Sequence, residues 1–210
     1  MTNTPADPVH PSPCRPQCPR CRRPSRACLC AWIRPVDNAA VELVVLQHPQ
    51  EAREAKNSAA LLGLSLTRCR IVVGEQFEPA SLGPLERSAL LYPVDEGRGA
   101  APAPVERLIL LDATWRKSRL MLQLNPWLLG LPRLALAEQA PSRYGALRKA
   151  HAPHQLSTLE AGVRALQQLG GTAESGRYEP LLEAFGGFVE AAAGHYYNRA
   201  PFTDRRVSRV

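Results

Sequence analysis

The sequence predicts an α/β domain: a mainly parallel sheet with helices on both faces, preceded by a small metal knuckle. Three observations predict it. Short apolar runs alternate with amphipathic stretches along most of the 210 residues, the pattern of strand–helix–strand crossovers. The run R-L-I-L-L-D at 107–112 is continuously apolar over 108–111 and lacks proline, as a strand covered on both faces must be. Finally, Cys18, Cys21, Cys28 and Cys30 fall within thirteen residues, close enough to surround one tetrahedral ion.

The elements follow in order. Residues 1–17 carry Pro5, Pro8, Pro11, Pro13 and Pro16 without apolar periodicity and read as a disordered arm. Residues 18–35 form the knuckle. V-E-L-V-V-L-Q-H (41–48) reads as a strand, and 51–64 as a helix ending near Gly63. R-C-R-I-V-V-G (68–74), A-L-L-Y-P (89–93) and 107–112 read as further strands. Residues 113–124 read as a helix and R-L-A-L-A (133–137) as the last strand. Helices are expected over 157–169 and 178–198. The stretches 94–106 and 170–177 are Gly/Pro-rich or polar loops, and 199–210, with four arginines, is a loose basic tail. No internal repeat is visible, and no apolar run approaches a membrane span.

The formal net charge is +7, which suits an anionic partner. Only Lys56, Lys117 and Lys149 are lysine, and arginine is the better bidentate phosphate ligand. A GC-rich genome would also favour arginine, but it does not explain the clustering. No acidic residue separates Asp7 from Asp37, an interval that holds Arg15, Arg20, Arg22, Arg23, Arg26 and Arg34. A secretory signal is absent from the arm, which disfavours disulfides and points to the cytoplasm. A redox C-x-x-C normally opens a helix after a strand, which Pro19 and the arginines do not offer. Structural zinc is therefore the favoured reading, since four thiolates leave no position for water. Cys14 is a substitute ligand, and Cys69 a core thiol.

Ligands of parallel sheets bind beyond the carboxyl ends of strands. Three polar motifs stand there: Q-H-P-Q-E (47–51), D-A-T-W (112–115), and the long loop from Glu138 to His154 that leads into L-S-T-L-E (156–160). Asp112 is either a partly desolvated proton acceptor or the cap of the next helix, with nothing in the residues to separate the two. Trp115 either stacks on a base or packs in the core, and the core is the better reading. Ser157 and Glu160 match the capping box S-x-x-E, yet a helix start beside Arg148 and Lys149 is also an anion site. His48 reads as a satisfied structural histidine before it reads as a base. Neither G-x-G-x-x-G nor a phosphate-binding G-x-x-x-x-G-K-[ST] motif occurs.

Read together, these motifs resemble the DTW-domain family, named for Asp-x-Thr-Trp, here Asp112 to Trp115. The resemblance extends to the knuckle C-x-x-C-x6-C-x-C, to His48-Pro49 with Glu51 and N-S-A-A-L-L (57–62), and to Tyr92-Pro93. It continues through Tyr144, Arg148, Lys149 and Leu156 to Ala161, and so spans roughly residues 18–169. Ser58 stands where Thr is usual, and Ala113 fills a variable slot. The resemblance implies a SPOUT-like catalytic domain over 36–198 with a C-terminal knot. It implies transfer of the 3-amino-3-carboxypropyl group of S-adenosylmethionine to N3 of a tRNA uridine, releasing methylthioadenosine. On that reading Asp112 is the base. Tyr92, Pro93, Thr114, Trp115, Arg148, Ser157, Thr158 and Glu160 are the expected cofactor contacts. Arg20, Arg22, Arg23, Arg26, His48 and Lys149 are expected to meet tRNA, and Cys18, Cys21, Cys28 and Cys30 to hold Zn²⁺. Relatives of this fold often pair through the knot, so a homodimer is possible, but no exposed stripe in the sequence determines the oligomeric state. A SPOUT methyltransferase and a non-catalytic zinc RNA-binding module are the alternative readings.

Overall fold

The computed structural model describes residues 16–38, 40–54, 57–93, 104–137, 156–171 and 176–197. The chain divides into two compact units, one ending at Ala31 and one beginning at Trp32.

The second unit is built on five strands: β1 (Glu42–Gln47), β2 (Cys69–Val73), β3 (Ser88–Leu91), β4 (Arg107–Asp112) and β5 (Arg133–Leu134). Their order is β2-β1-β4-β3-β5, and every pairing between them is parallel. The helices are α1 (Pro49–Ala52), α2 (Ser58–Ser65), α3 (Trp115–Leu124), α4 (Pro126–Leu129), α5 (Thr158–Gly170) and α6 (Glu179–Tyr197). Parallel strands need crossovers; α1 and α2 lie between β1 and β2, and α3 and α4 between β4 and β5.

Both faces of the sheet are covered. On one, Val44, Leu46, Leu90 and Ile109 pack with Met121, Leu122 and Leu128 of α3 and α4. On the other, α5 lies so close that a Cβ on Gly162 would come within 3.1–3.3 Å of Leu62, Leu110 and Leu43. That face is shared by α2, α5 and α6. Full burial of Leu43 to Leu46 and of Leu108 and Ile109 explains why β1 and β4 read as unbroken apolar runs.

Several expectations shift. The helix expected over 51–64 is two short helices, α1 and α2. His48 and Asn57 cap them in turn, each accepting a backbone N–H through its side chain, and two separate N-caps cannot belong to one continuous helix. The helix expected from 113 begins at Trp115, capped by Thr114. It stops before Pro126, which opens α4, a turn the sequence did not suggest. The expected strand 133–137 has ladder partners only at Arg133 and Leu134, paired with Leu90 and Leu91. The helices expected over 157–169 and 178–198 correspond to α5 and α6. The arm to residue 15, the basic tail, Cys14, most of loop 94–106 and the long loop from Glu138 to His154 lie outside the described residues.

Candidate active site and metal knuckle

Register builds the centre of the site. Gln47 and Asp112 are Cα partners at the carboxyl ends of β1 and β4, so their side chains stand together. Gln47 Nε2 donates to Asp112 Oδ2 at 2.5 Å, and Thr158 Oγ1 donates to Oδ1 at 2.5 Å. Thr158 is the first residue of α5, so a helix from one face of the sheet fixes a carboxylate at its tip. Each carboxylate oxygen accepts one of these two bonds. Asp112 is not the cap of α3. That position belongs to Thr114, whose Oγ1 accepts from Lys117 N at 3.4 Å.

Asp112 itself is not part of the lining, but its neighbours Leu111 and Ala113 and its partner Thr158 line a cavity of about 470 Å³, with Tyr92, Pro93, Trp115, Leu91, Leu110 and Leu134 to Leu136. Its size and apolar lining with few polar groups are those of a small-molecule site. Trp115 is 52% exposed, which corrects the expectation of a core tryptophan. It meets Tyr92 edge-on, centroids 5.8 Å apart at 71°. Arg133, only 3% exposed, lies 4.9 Å above the Tyr92 ring and donates from Nη1 to Pro93 O at 2.8 Å. The Tyr-Pro corner is thus held by a buried cation.

Other expected contacts have structural roles. Ser157 Oγ accepts from Glu160 N at 3.2 Å, while Glu160 Oε2 accepts from Ser157 N at 2.9 Å. This reciprocal box occupies both side chains, so of the expected cofactor contacts at this helix start only Thr158 reaches the cavity. His48 is 5% exposed. Its Nδ1 accepts from Gln50 N at 3.2 Å and its Nε2 lies 3.0 Å from Glu75 Oε1. Both nitrogens have partners within the chain. Arg148 and Lys149 lie outside the described residues.

Gln47 and Arg133 escaped assignment. Gln47 stood inside the strand-end motif, and in-register pairing with Asp112 marks it only once the strand order is known. Arg133 opened an apolar strand, and a charge there signals a buried partner.

The first unit holds the four cysteines. An antiparallel bridge joins Gln17 to Pro24, and Arg22 N donates to Cys18 O at 2.8 Å. Arg22 adopts φ +55°, a left-handed turn that folds the first C-x-x-C back on itself. The four sulfurs all lie within 4.8 Å of one another. Cys18 and Cys30 are 3.6 Å apart, Cys21 and Cys28 3.7 Å. Tetrahedral Zn–S bonds of about 2.3 Å place sulfurs roughly 3.8 Å apart, so the set fits zinc, and a disulfide is far shorter. Backbone N–H bonds from Cys21 and Arg20 hold the Cys18 thiol down at about 6. Burial would raise Cys21, but N–H bonds from Leu29 and Arg23 outweigh it. Burial and the neighbouring sulfurs push Cys30 up to about 12. Four crowded thiols cannot all ionise without a cation among them. Around them, Arg20 and Arg22 are exposed and Arg23 is half-buried; the side chain of Arg26 lies outside the described residues. Cys69 stands apart in β2, where burial pushes its thiol up to about 12.

Residues 15–193 match the family described as the DTW domain. The chain is 27% identical over 178 residues to tRNA-uridine aminocarboxypropyltransferase 2 of Macaca fascicularis and 29% identical to that of Mus musculus, covering 77% of this chain in each case. It is 29% identical over 172 residues to that of Drosophila melanogaster, covering 74% of this chain. The chain spans 59% of the length of the first two relatives and 67% of the third. No solved structure matches the chain significantly.

Proposed function

The chain belongs to the DTW-domain family, and from that premise we propose that it is a tRNA-uridine aminocarboxypropyltransferase, as the names of its relatives suggest, and that it acts in the cytoplasm. The observation that carries the reading is the carboxylate of Asp112, held by Gln47 and by Thr158, a residue of the cavity wall. When bound, S-adenosylmethionine supplies the 3-amino-3-carboxypropyl group on a sulfonium, an activated leaving group, so the protein need add only alignment and proton removal.

Each residue then has a task. Asp112 accepts the N3 proton of the uridine, with Gln47 and Thr158 holding its two oxygens in place. Tyr92, Pro93 and the leucines of the cavity hold an adenosine by apolar contact, and Arg133 keeps the Tyr-Pro corner rigid. Trp115, half in solvent, offers a face on which a base splayed from its stack can rest. Arg148, on the loop before α5, is retained as the partner of a carboxylate. Cys18, Cys21, Cys28 and Cys30 hold a structural zinc, and Arg20, Arg22, Arg23 and Arg26 with Lys149 contact the tRNA backbone. We extend the reading to a SPOUT-like fold with a C-terminal knot, as the family resemblance implies.

Incubation with S-adenosylmethionine and unmodified tRNA, followed by nucleoside mass analysis, tests the proposal. Aminocarboxypropyl-uridine with methylthioadenosine is expected. A methylated base with S-adenosylhomocysteine, or no product from a chain that binds both substrates, overturns it.

A further inference from the structure

The cavity wall that α3 contributes continues onto an outward face with its own chemistry. Trp115 and Ser118 line the cavity. One turn on from Trp115 stands Arg119, with Arg116 and Gln123 beside it, all exposed. The i, i+3 and i, i+4 spacings put Trp115, Arg116, Arg119 and Gln123 on one stripe of helix surface.

We propose that this stripe of α3 is the docking surface for RNA: Arg116 and Arg119 bind backbone phosphates and guide the target nucleotide past Trp115 into the cavity. The inference rests on the tRNA reading above and adds residues which that reading leaves unassigned.

Three observations carry it. First, the two arginines are uncommitted. Arg70, Arg87, Arg107 and Lys117 are each paired with a glutamate, whereas Arg116 and Arg119 have neither a hydrogen bond nor an ion pair among the described residues. Second, their position opposes helix stability. The first five residues of α3 contain Arg116, Lys117 and Arg119, and its first turn holds no acidic side chain. The positive end of the helix dipole repels cations there. Lys117 is satisfied by Glu51 at 3.3 Å; an anion brought from outside would do the same for the other two. Third, the aromatic beside them is half exposed at the cavity entrance. Guanidinium groups next to an open indole are the combination that grips a phosphate backbone while a base stacks.

The experiment uses the full zinc-loaded chain and unmodified tRNA, with binding measured across a range of salt concentrations. R116Q/R119Q is expected to weaken binding on the order of tenfold and to flatten the slope of log affinity against log salt by about 2, one for each phosphate no longer neutralised. Its thermal midpoint should equal or exceed the wild-type value, because two cations are removed from the positive end of the helix dipole. R87Q, at the opposite end of the strands, should leave affinity and slope unchanged. Wild-type affinity and slope in R116Q/R119Q overturn the proposal, as does an equal loss in R87Q, which would mean diffuse charge alone. The two readings fail separately. A chain that binds tRNA through Arg116 and Arg119 but forms no aminocarboxypropyl-uridine refutes the reaction and leaves the docking surface. A chain that forms the product while R116Q/R119Q binds normally refutes the docking surface alone.

Discussion

Asp112 illustrates how much a single residue owes to its neighbours. Three elements meet at its carboxylate: β4 carries it, β1 brings Gln47 and α5 brings Thr158. Asp112→Asn removes the proposed proton acceptor but keeps the shape. It should lower turnover by about 10²–10⁴-fold, the usual worth of a positioned base, with the thermal midpoint and S-adenosylmethionine binding retained; undiminished turnover would remove Asp112 from the chemistry. Thr158→Val should act through Asp112, lowering turnover less and shifting the pH profile of the rate, because the carboxylate loses a donor. Cys21→Ser should bring zinc content below one ion per chain and weaken tRNA binding, read by metal analysis and filter binding. The role proposed for Asp112 came from the family resemblance, whereas the cysteine cluster was legible from spacing along the chain. Gln47 and Arg133 were not, because their significance comes from pairing and burial across the sheet.

Element ends set the site more than element middles do. The start of α5 is fixed by the Ser157–Glu160 box, which aims Thr158 at Asp112. Ser157→Ala should cost about 1 kcal/mol of stability, measured by denaturant unfolding, and should also reduce turnover through misplacement of Thr158. A loss of stability with normal turnover would show that α5 can fray without moving its first hydroxyl. The same logic separates the true helix starts from the expected ones. An apolar pattern over 51–64 reads as one helix, because periodicity does not register the N-cap of Asn57, whose Oδ1 accepts from Ala60 N at 3.1 Å. Similarly, β5 is short because only Arg133 and Leu134 find ladder partners on β3, and no feature of R-L-A-L-A announces where pairing ends.

Across the whole molecule, the amino ends of the strands are tied by charge as the carboxyl ends are tied by the site. Glu42 Oε1 accepts from Arg70 Nε at 2.7 Å and Oε2 from Arg107 Nε at 2.7 Å, linking β1 to β2 and β4. Burial would raise the Glu42 carboxyl, but Arg107 and then Arg70 hold it below its ordinary value. A depressed carboxylate contributes stability that is complete above the ordinary value of 4.5 and is lost as pH falls through the lower folded value. Glu42→Gln should therefore be less stable than the wild type at neutral pH, with the gap closing in acid; a gap independent of pH would assign the effect to packing. By itself the sequence determined the α/β class, the parallel strands, the cysteine cluster and the strand-end motifs. Those depend on local periodicity, on spacing along the chain and on chemistry confined to a few adjacent residues. Only the tertiary structure decided that β1 lies beside β4, that Gln47 therefore meets Asp112, that Trp115 faces the cavity entrance and not the core, and that Arg116 and Arg119 find no partner among the described residues. Each of these turns on which distant segments come to share a neighbourhood, and strand order sets that while side-chain pattern within any one segment leaves it open.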